Sequence, residues 1–452
     1  MKMILFLLIC FTGRVLSADF QAGVARIDIT PPMPFWLSGY AALTAPATTV
    51  RNPLWAKALA LSDDRGGKCV IVTADLIGIP ADLSEAVTRR VHEKYGLRDA
   101  QLLMNFSHTH YGPVVRPNLA VMFDFDPVEM ERTAKYRNKL ADNFVSVVGA
   151  ALEDLSAARI SWGQGTAGFA GNRRQKSEQG VRIGENPDGP TDHSVPVIRI
   201  AAPDGRLRAV LFAYSCHGTT MAGSYNEVDS DFAGFAQRAI EKAHAGATAL
   251  YMILCAADQN PKPRGEYAHV EQHGRELSEA VERILAGDLK PVKPGILTAL
   301  QFIQLDFAPH TRQTFEAEAH DTSSAAKWKK RRAAMMLEGY EKGKPIRHLP
   351  YAVQAIRLGD SLTFLALGGE VVVDYALRAK REFPKENLIV AGYSHDVSCY
   401  IPSLRILREG GYEAVDSMIY YGQPGPLAES VEETIFKAVH RVIDKTRARS
   451  DR

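Results

Sequence analysis

Asn105-Phe-Ser-His108-Thr-His110-Tyr-Gly-Pro113 and Tyr214-Ser-Cys-His217-Gly-Thr-Thr220 are the two stretches that decide how this chain reads. Each closes an apolar run that predicts a buried strand, over 102–107 and over 207–215. Each puts histidine where the run gives way to small and turn-forming residues. Residues two apart in an extended chain point the same way, so His108 and His110 can face one pocket. Imidazole is the commonest metal ligand, and it binds as the neutral ring. Two strand-end histidine sites far apart in sequence predict ligands converging from different parts of one fold. Taken singly, each stretch also fits a hydrogen-bonded core histidine.

Working outward, strands are predicted over 25–30, 54–61, 68–75, 195–200, 249–255, about 300–310, 351–357, 361–367 and 387–392. Helical spacing covers 81–95, 133–155, 232–244, 271–285, 315–342, 374–382 and 427–445. Residues 163–190 are polar and glycine-rich, which predicts a long functional or mobile loop. Several hairpins mixed with helices predict an α/β fold with mixed sheets flanked by helices, over residues 19–452, as a single large domain. No internal repeat is visible.

Two further segments carry chemistry. In Leu365-Ala-Leu-Gly-Gly369-Glu370 a carboxylate follows an apolar strand directly. Burying it is costly without a cationic partner, and a metal ion is one such partner. A glutamate at a helix N-terminus is the other reading. Ala391-Gly-Tyr393-Ser-His-Asp-Val-Ser-Cys-Tyr400-Ile-Pro402, with Gly411-Tyr412-Glu413 and Tyr420-Tyr421-Gly422, is dense in tyrosine. A phenol can bind metal or stabilise an oxyanion; plain packing or a sugar- or lipid-contact wall is the alternative.

In these residues the chain resembles the catalytic domain of the neutral, non-lysosomal ceramidases. The resemblance also takes in Gly23-Val-Ala-Arg-Ile-Asp-Ile-Thr-Pro31, Asn172-Arg173 and Ala257-Asp258-Gln-Asn260-Pro261, in family order across residues 23–422. It implies a zinc amidase that cleaves an N-acyl bond of ceramide-like lipids. By matching position, it implies His108, His217, Glu370 and Tyr400 as ligands of Zn2+. It implies His110, Arg173 and Tyr412 as the groups around the reacting amide. The chain departs from the family at Tyr111, where serine is usual, which is expected to narrow or repave the pocket mouth. Ala257 stands where glycine is common. The resemblance ends before the family's C-terminal β-sandwich, for which no counterpart is expected in these residues. Asp75, Asp231, Asp258 and Asn260 are candidates to orient the ligands, since a ligating histidine usually donates its other N–H to a carboxylate or carbonyl. Two rival readings stand beside this one: the same machinery acting on another amide or ester, and a secreted binding protein without catalysis. No Gly-x-Ser-x-Gly elbow supports a serine hydrolase.

Composition sets the bounds. The 452 residues are 46% hydrophobic and 23% charged, with a formal net charge of +2. No nucleic-acid partner is implied. Lys327-Trp-Lys-Lys-Arg-Arg332 is the densest cationic run and reads as a solvated helix face. Residues 1–18 read as a secretory signal, with Lys2, an apolar stretch and small residues near Ser17 and Ala18. That predicts a secreted or periplasmic protein without a transmembrane span. Ile9 before Cys10 argues against a lipid anchor. Cys69, Cys216, Cys255 and Cys399 match no zinc motif and read as core thiols. A Cys216–Cys399 bridge is open if their motifs meet.

Overall fold

The computed structural model describes residues 20–323, 326–360 and 362–447. The predicted targeting segment, 1–18, lies outside them. The larger of two central sheets runs Thr248–Ile253, Leu207–Tyr214, Ser194–Ala201, Ser156–Thr166, Phe20–Asp28, Trp55–Asp63, Lys68–Ala74, Leu102–Phe106, with Lys290–Pro291 beside Ser156–Thr166. The smaller runs Ile296–Asp306, His348–Leu358, Leu362–Leu367, Leu388–Ala391. Most neighbours are antiparallel. Three pairs are parallel: Leu207–Tyr214 with Thr248–Ile253, Lys68–Ala74 with Leu102–Phe106, and Leu362–Leu367 with Leu388–Ala391. The fold is thus the mixed α/β arrangement that the hairpins predict.

Side-chain alternation explains the layering. Along Leu102–Phe106, Leu102 and Met104 pack under helices while Leu103 faces the other sheet. Ile71, Leu103, Leu250 and Phe364 come from both sheets and meet in one buried layer. Each such side chain contributes about 1.5–3 kcal/mol by leaving water. The helices Ala81–Tyr95, Pro127–Glu153, Asp231–Ala243 and Tyr267–Leu285 cover the outer face of the large sheet. Val373–Glu382 and Val431–Arg447 cover the small one. The order is helices, sheet, sheet, helices.

Local chemistry places the element ends. The helix expected from 133 begins at Pro127, because Asp126 caps it by accepting from the Glu129 N–H at 2.8 Å and proline suits the first turn. The stretch expected to be helical over 315–342 is two helices, Arg312–Ala319 and Ala326–Glu341. The predicted loop 163–190 is structured in part, with short strands at Ala170–Asn172, Arg174–Ser177 and Gly180–Ile183. The cationic run is not a plain solvated face: Arg332 is buried against Glu318, and Trp328 packs on Tyr420. All four described cysteines are buried and free, so no Cys216–Cys399 bridge forms. Among the described residues no helix is long and apolar enough to cross a membrane.

Candidate functional site

The carboxyl ends of the parallel strands from both sheets meet at one place. Asn105 ties them together. Its side-chain amide donates to the Ile253 and Gly392 carbonyls at 3.2 and 2.9 Å, and its oxygen accepts from the Ile253 N–H at 2.9 Å. Three strand ends are thereby joined through one fully buried side chain. Just beyond, the two histidine segments touch: the His110 N–H donates to the Gly218 carbonyl at 3.0 Å. A Cβ on Gly218 would stand 2.7 Å from the His108 carbonyl oxygen, so only glycine allows this approach. On the small-sheet side, Glu370–Val371 pairs in parallel with Tyr400–Ile401, which sets Glu370 opposite Tyr400. Gly369 precedes it at φ +73, where a side chain would be strained and would meet the Cys399 carbonyl.

The side chains then converge. His108 and His217 each hold Nε2 at 3.1 Å from Oε2 of Glu370. The Tyr400 hydroxyl is 3.3 Å from His217 Nε2, and His110 Nε2 is 3.3 Å from His108 Nε2. All three rings turn Nδ1 to a main-chain carbonyl: His108 to Ile77 at 2.6 Å, His217 to Ala256 at 2.8 Å, His110 to Gly39 at 2.9 Å. A carbonyl only accepts, so each Nδ1 carries the proton and each Nε2 presents a lone pair inward. Burial pushes His217 down to about 3, with the Arg173 charge adding to it. Burial, with the neighbouring histidines, also holds His110 well below its usual value. Burial raises Glu370, whereas positive charge on His108 or His217 lowers it, and with those rings charged the balance holds the carboxyl well below its usual value.

With the rings neutral, their lone pairs and the Glu370 carboxylate face one another in a buried space, Nε2 to Oε2 at 3.1 Å. A cation at the centre removes that conflict. His108, His110 and His217 form a group whose ligand atoms lie close enough to hold a metal ion. Imidazole nitrogens with carboxylate and phenol oxygens are a donor set that zinc accepts. The residues present fit the ion.

A second charged cluster adjoins the first. Arg173 donates from Nη2 to the Tyr400 hydroxyl at 2.9 Å and from Nη1 to the Asn260 side-chain oxygen at 3.3 Å. Its Nε donates to Glu413 at 2.8 Å, and Glu413 also accepts from Arg174 at 2.6 Å. Both arginines and Glu413 are buried. Pairing of Gln259–Pro261 with Ala170–Asn172 brings Arg173 here. Burial keeps the phenols of Tyr400, Tyr412 and Tyr421 protonated.

All seven residues singled out in the sequence lie in this region: His108, His110, Arg173, His217, Glu370, Tyr400 and Tyr412. Tyr412 is edge-on to Tyr400, ring centres 5.5 Å apart. The acids expected to orient the ligands do not do so. Asp75 accepts from the Trp55 N–H and the Gln237 amide, and Asp231 accepts from the Thr220 N–H. Asp258 accepts from the Val373 N–H and the Asn172 amide, and burial pushes it up to about 7. Main-chain carbonyls take their place on the histidines. Asn260 does belong to the site, through Arg173. Tyr111 does not repave the mouth. It is fully buried, donating to the Met221 carbonyl at 2.6 Å and lying 3.1 Å from the Tyr40 hydroxyl. Sequence reasoning missed Tyr421, which donates to Glu370 Oε1 at 2.5 Å, and the bridging role of Glu413. Each sits in a motif already quoted, but no spacing announces its partner.

The site opens into a pocket of about 340 Å³. His110, Arg173, Glu370, Tyr400, Tyr412 and Asn260 form its polar end, while Tyr40, Leu119, Met122, Ile183, Trp328 and Tyr420 form apolar walls.

Comparisons agree with this geometry. Residues 20–291 match the family model described as neutral/alkaline non-lysosomal ceramidase, N-terminal. A neutral ceramidase of Drosophila melanogaster is 23% identical over 248 residues, 54% of this chain and 35% of that protein. One from Drosophila pseudoobscura pseudoobscura is 23% identical over 234 residues, 50% of this chain and 32% of its own length. The match thus spans about a third of these curated relatives. The crystal structure of a neutral ceramidase from Pseudomonas aeruginosa superposes with a TM-score of 0.73 at 18% identity, covering 96% of this chain and 75% of that one. A ceramidase complexed with C2 gives 0.71 at 17% identity, covering 94% and 76%. On the extent of the family match, the chain belongs to the neutral/alkaline non-lysosomal ceramidase family.

Proposed function

We propose that this protein is a zinc-dependent amidohydrolase that cleaves the N-acyl bond of ceramide-like lipids, releasing a fatty acid and a sphingoid base. The observation that carries the reading is the convergence of three inward imidazole lone pairs and an ionised carboxylate beside a pocket with apolar walls. Ceramidase activity in the relatives supports the substrate class. The signal-like residues 1–18 support action outside the cytoplasm, in the periplasm or beyond the cell.

His108, His217, Glu370 and Tyr400 would hold the ion. Zinc supplies Lewis acidity there and makes a water acidic enough to attack near neutral pH. The remaining chemistry belongs to the chain. His110, neutral and fixed through Nδ1 on Gly39, presents Nε2 as the base that takes a proton from the attacking water. The same atom returns the proton to the departing amine, without which an amide nitrogen leaves poorly. Arg173, held by Glu413 and Asn260, keeps a fixed positive charge beside Tyr400 where the carbonyl oxygen becomes negative. Tyr412 closes the same wall. The apolar walls hold acyl chain and exclude bulk water.

The test is fatty-acid release from short- and long-chain ceramides and simpler N-acyl amines, with zinc-loaded protein beside His217→Ala. Turnover of long-chain ceramide that vanishes in the variant is expected. A second reading is favoured by the pocket size, which lies near the lower end for small-molecule sites, roughly 300–1,000 Å³. It is the same machinery acting on a smaller N-acyl amide or ester. Turnover of the simple amides alone would select it. Stoichiometric zinc binding with no turnover of any substrate would overturn both.

A further inference from the structure

A second cavity, of about 540 Å³, shares no lining residue with the pocket at the histidine cluster. Helix Ala81–Tyr95 lines it, as do the edge strand Ile296–Asp306, its neighbour His348–Leu358, and the pair His395-Asp396. That pair belongs to the tyrosine-rich stretch singled out in the sequence. The metal site takes up Tyr400 from it and leaves His395 and Asp396 unused. The backbone pins both: the His395 N–H donates to the Met104 carbonyl at 2.8 Å, and the Asp396 carbonyl accepts from the Gly369 N–H at 2.8 Å. His395 is held at φ +64, a conformation that few residues other than glycine adopt.

The His395 ring is only 9% exposed, and its Nε2 has no hydrogen-bond partner among the described residues. Burial holds it down at about 4, so the ring is neutral and offers a lone pair. Tyr351, lining the same cavity, also leaves a buried hydroxyl unpartnered. Folded proteins leave few buried polar groups unpaired, so two around one cavity call for an explanation. Acids stand beside them. Asp396 accepts from the Ser398 hydroxyl, and burial, with the Glu85 charge adding to it, pushes its carboxyl up to about 6. Glu85 is exposed and has no ion-pair partner among the described residues. Asp99 adds a further carboxylate to the lining, against which stands the guanidinium of Arg89. The remaining wall is apolar, and its Phe302 is left 64% exposed. A concave, partly apolar space with a few convergent polar groups is the usual form of a small-molecule site.

We propose that this cavity is a second ligand site, and that its ligand is an organic ammonium ion with an apolar body. The ammonium donates to His395 and to the carboxylates of Asp396 and Glu85, and the apolar part covers Phe302 and Leu300. Charge-assisted hydrogen bonds of this kind are the strong ones, and every group they would meet here is an acceptor. Other occupants fit less well. An anion would meet the excess of carboxylates. A neutral apolar molecule would bring no donor to the imidazole or the acids. A bare metal ion needs ligands near one another, and among the described residues only His108, His110 and His217 form such a group. The inference is independent of the amidase reading.

The experiment is calorimetric titration of the full chain with hexylammonium, and with hexanol and hexanoate as neutral and anionic probes of the same body. Hexylammonium should bind, with the other two weaker by about tenfold or more. Asp396→Asn and His395→Phe should each weaken it by about tenfold, and Glu85→Gln, at an exposed position, by about threefold. Glu153→Gln, an equal charge change at the exposed end of helix Pro127–Glu153, should leave it unchanged. So should His217→Ala, which removes a proposed metal ligand. Thermal midpoints establish that each variant folds, and the exposed Glu85 keeps the test open if a buried variant does not. The proposal is overturned by no binding, by equal binding of hexanol or hexanoate, or by equal loss in Glu153→Gln. Loss in His217→Ala with retention in Asp396→Asn and Glu85→Gln would also overturn it, by placing the amine at the metal site.

Discussion

The two sheets contribute to the site in different currencies of information. The half of the chain that holds the large sheet brings His108, His110, His217 and, from a short side sheet, Arg173; the small-sheet half brings Glu370, Tyr400, Tyr412 and Tyr421. The family match ends at residue 291, the last residue of the large sheet, and the small sheet begins at Ile296. The histidines can be read locally, because strand end and imidazole coincide. The carboxylate and phenols gain meaning only from pairing, Glu370 against Tyr400 across two short strands. A centre built this way needs both halves, although one of them carries most of the visible signature.

The largest effects are expected from removing one proposed ligand from each half. His217→Ala and Glu370→Gln should each lower zinc affinity and turnover by more than about 100-fold, beyond the ~10–100-fold typical of outer-shell partners. Zinc titration by calorimetry decides the matter. Retention of affinity in Glu370→Gln, with loss in His110→Gln, would move the centre to the three histidines alone. Next in size is Glu413→Ala, which leaves the buried Arg173 without a carboxylate partner while Arg174 keeps Glu409, and should destabilise the fold by about 3–5 kcal/mol in urea unfolding.

Acid acts on the large-sheet half in particular. His217 is held near 3 when folded, against about 6.5 in an unfolded chain. The unfolded state binds the extra proton, so this stability is complete above pH 6.5 and is lost as pH falls toward 3. Metal-free protein should show that decline in its thermal midpoint, and His217→Asn should flatten it. Asn105→Ala, which cuts the tie between strand ends of the two sheets, should cost about 1–3 kcal/mol through the unpaired Ile253 N–H and the carbonyls left behind. Smallest is Tyr111→Phe, worth about 1 kcal/mol for one buried hydrogen bond. Unchanged KM in that variant would agree with its place beneath Tyr40 and away from the mouth.

Much of the scaffold is legible in the chain because burial and turns leave local marks. The hairpin about Gly66 and Gly67 and the strand Leu102–Phe106 are examples. The rest depends on contacts between distant residues. Nothing near Phe20 announces that it lies opposite Ala158, and nothing near Glu413 announces two arginines some 240 residues earlier in the chain. The acids expected behind the histidines illustrate the same limit. A carboxylate is visible in a sequence, whereas a main-chain carbonyl exists at every position and marks none.

That last feature has an evolutionary meaning. The orientation of His108, His110 and His217 is stored in the path of the backbone at Ile77, Gly39 and Ala256, and residue identity enters only at Gly39, where a Cβ would stand 2.2 Å from that of His110. A substitution at Ile77 or Ala256 changes what surrounds the carbonyl but cannot delete it. The aim of the imidazoles is therefore insulated from sequence drift as long as the chain keeps its course.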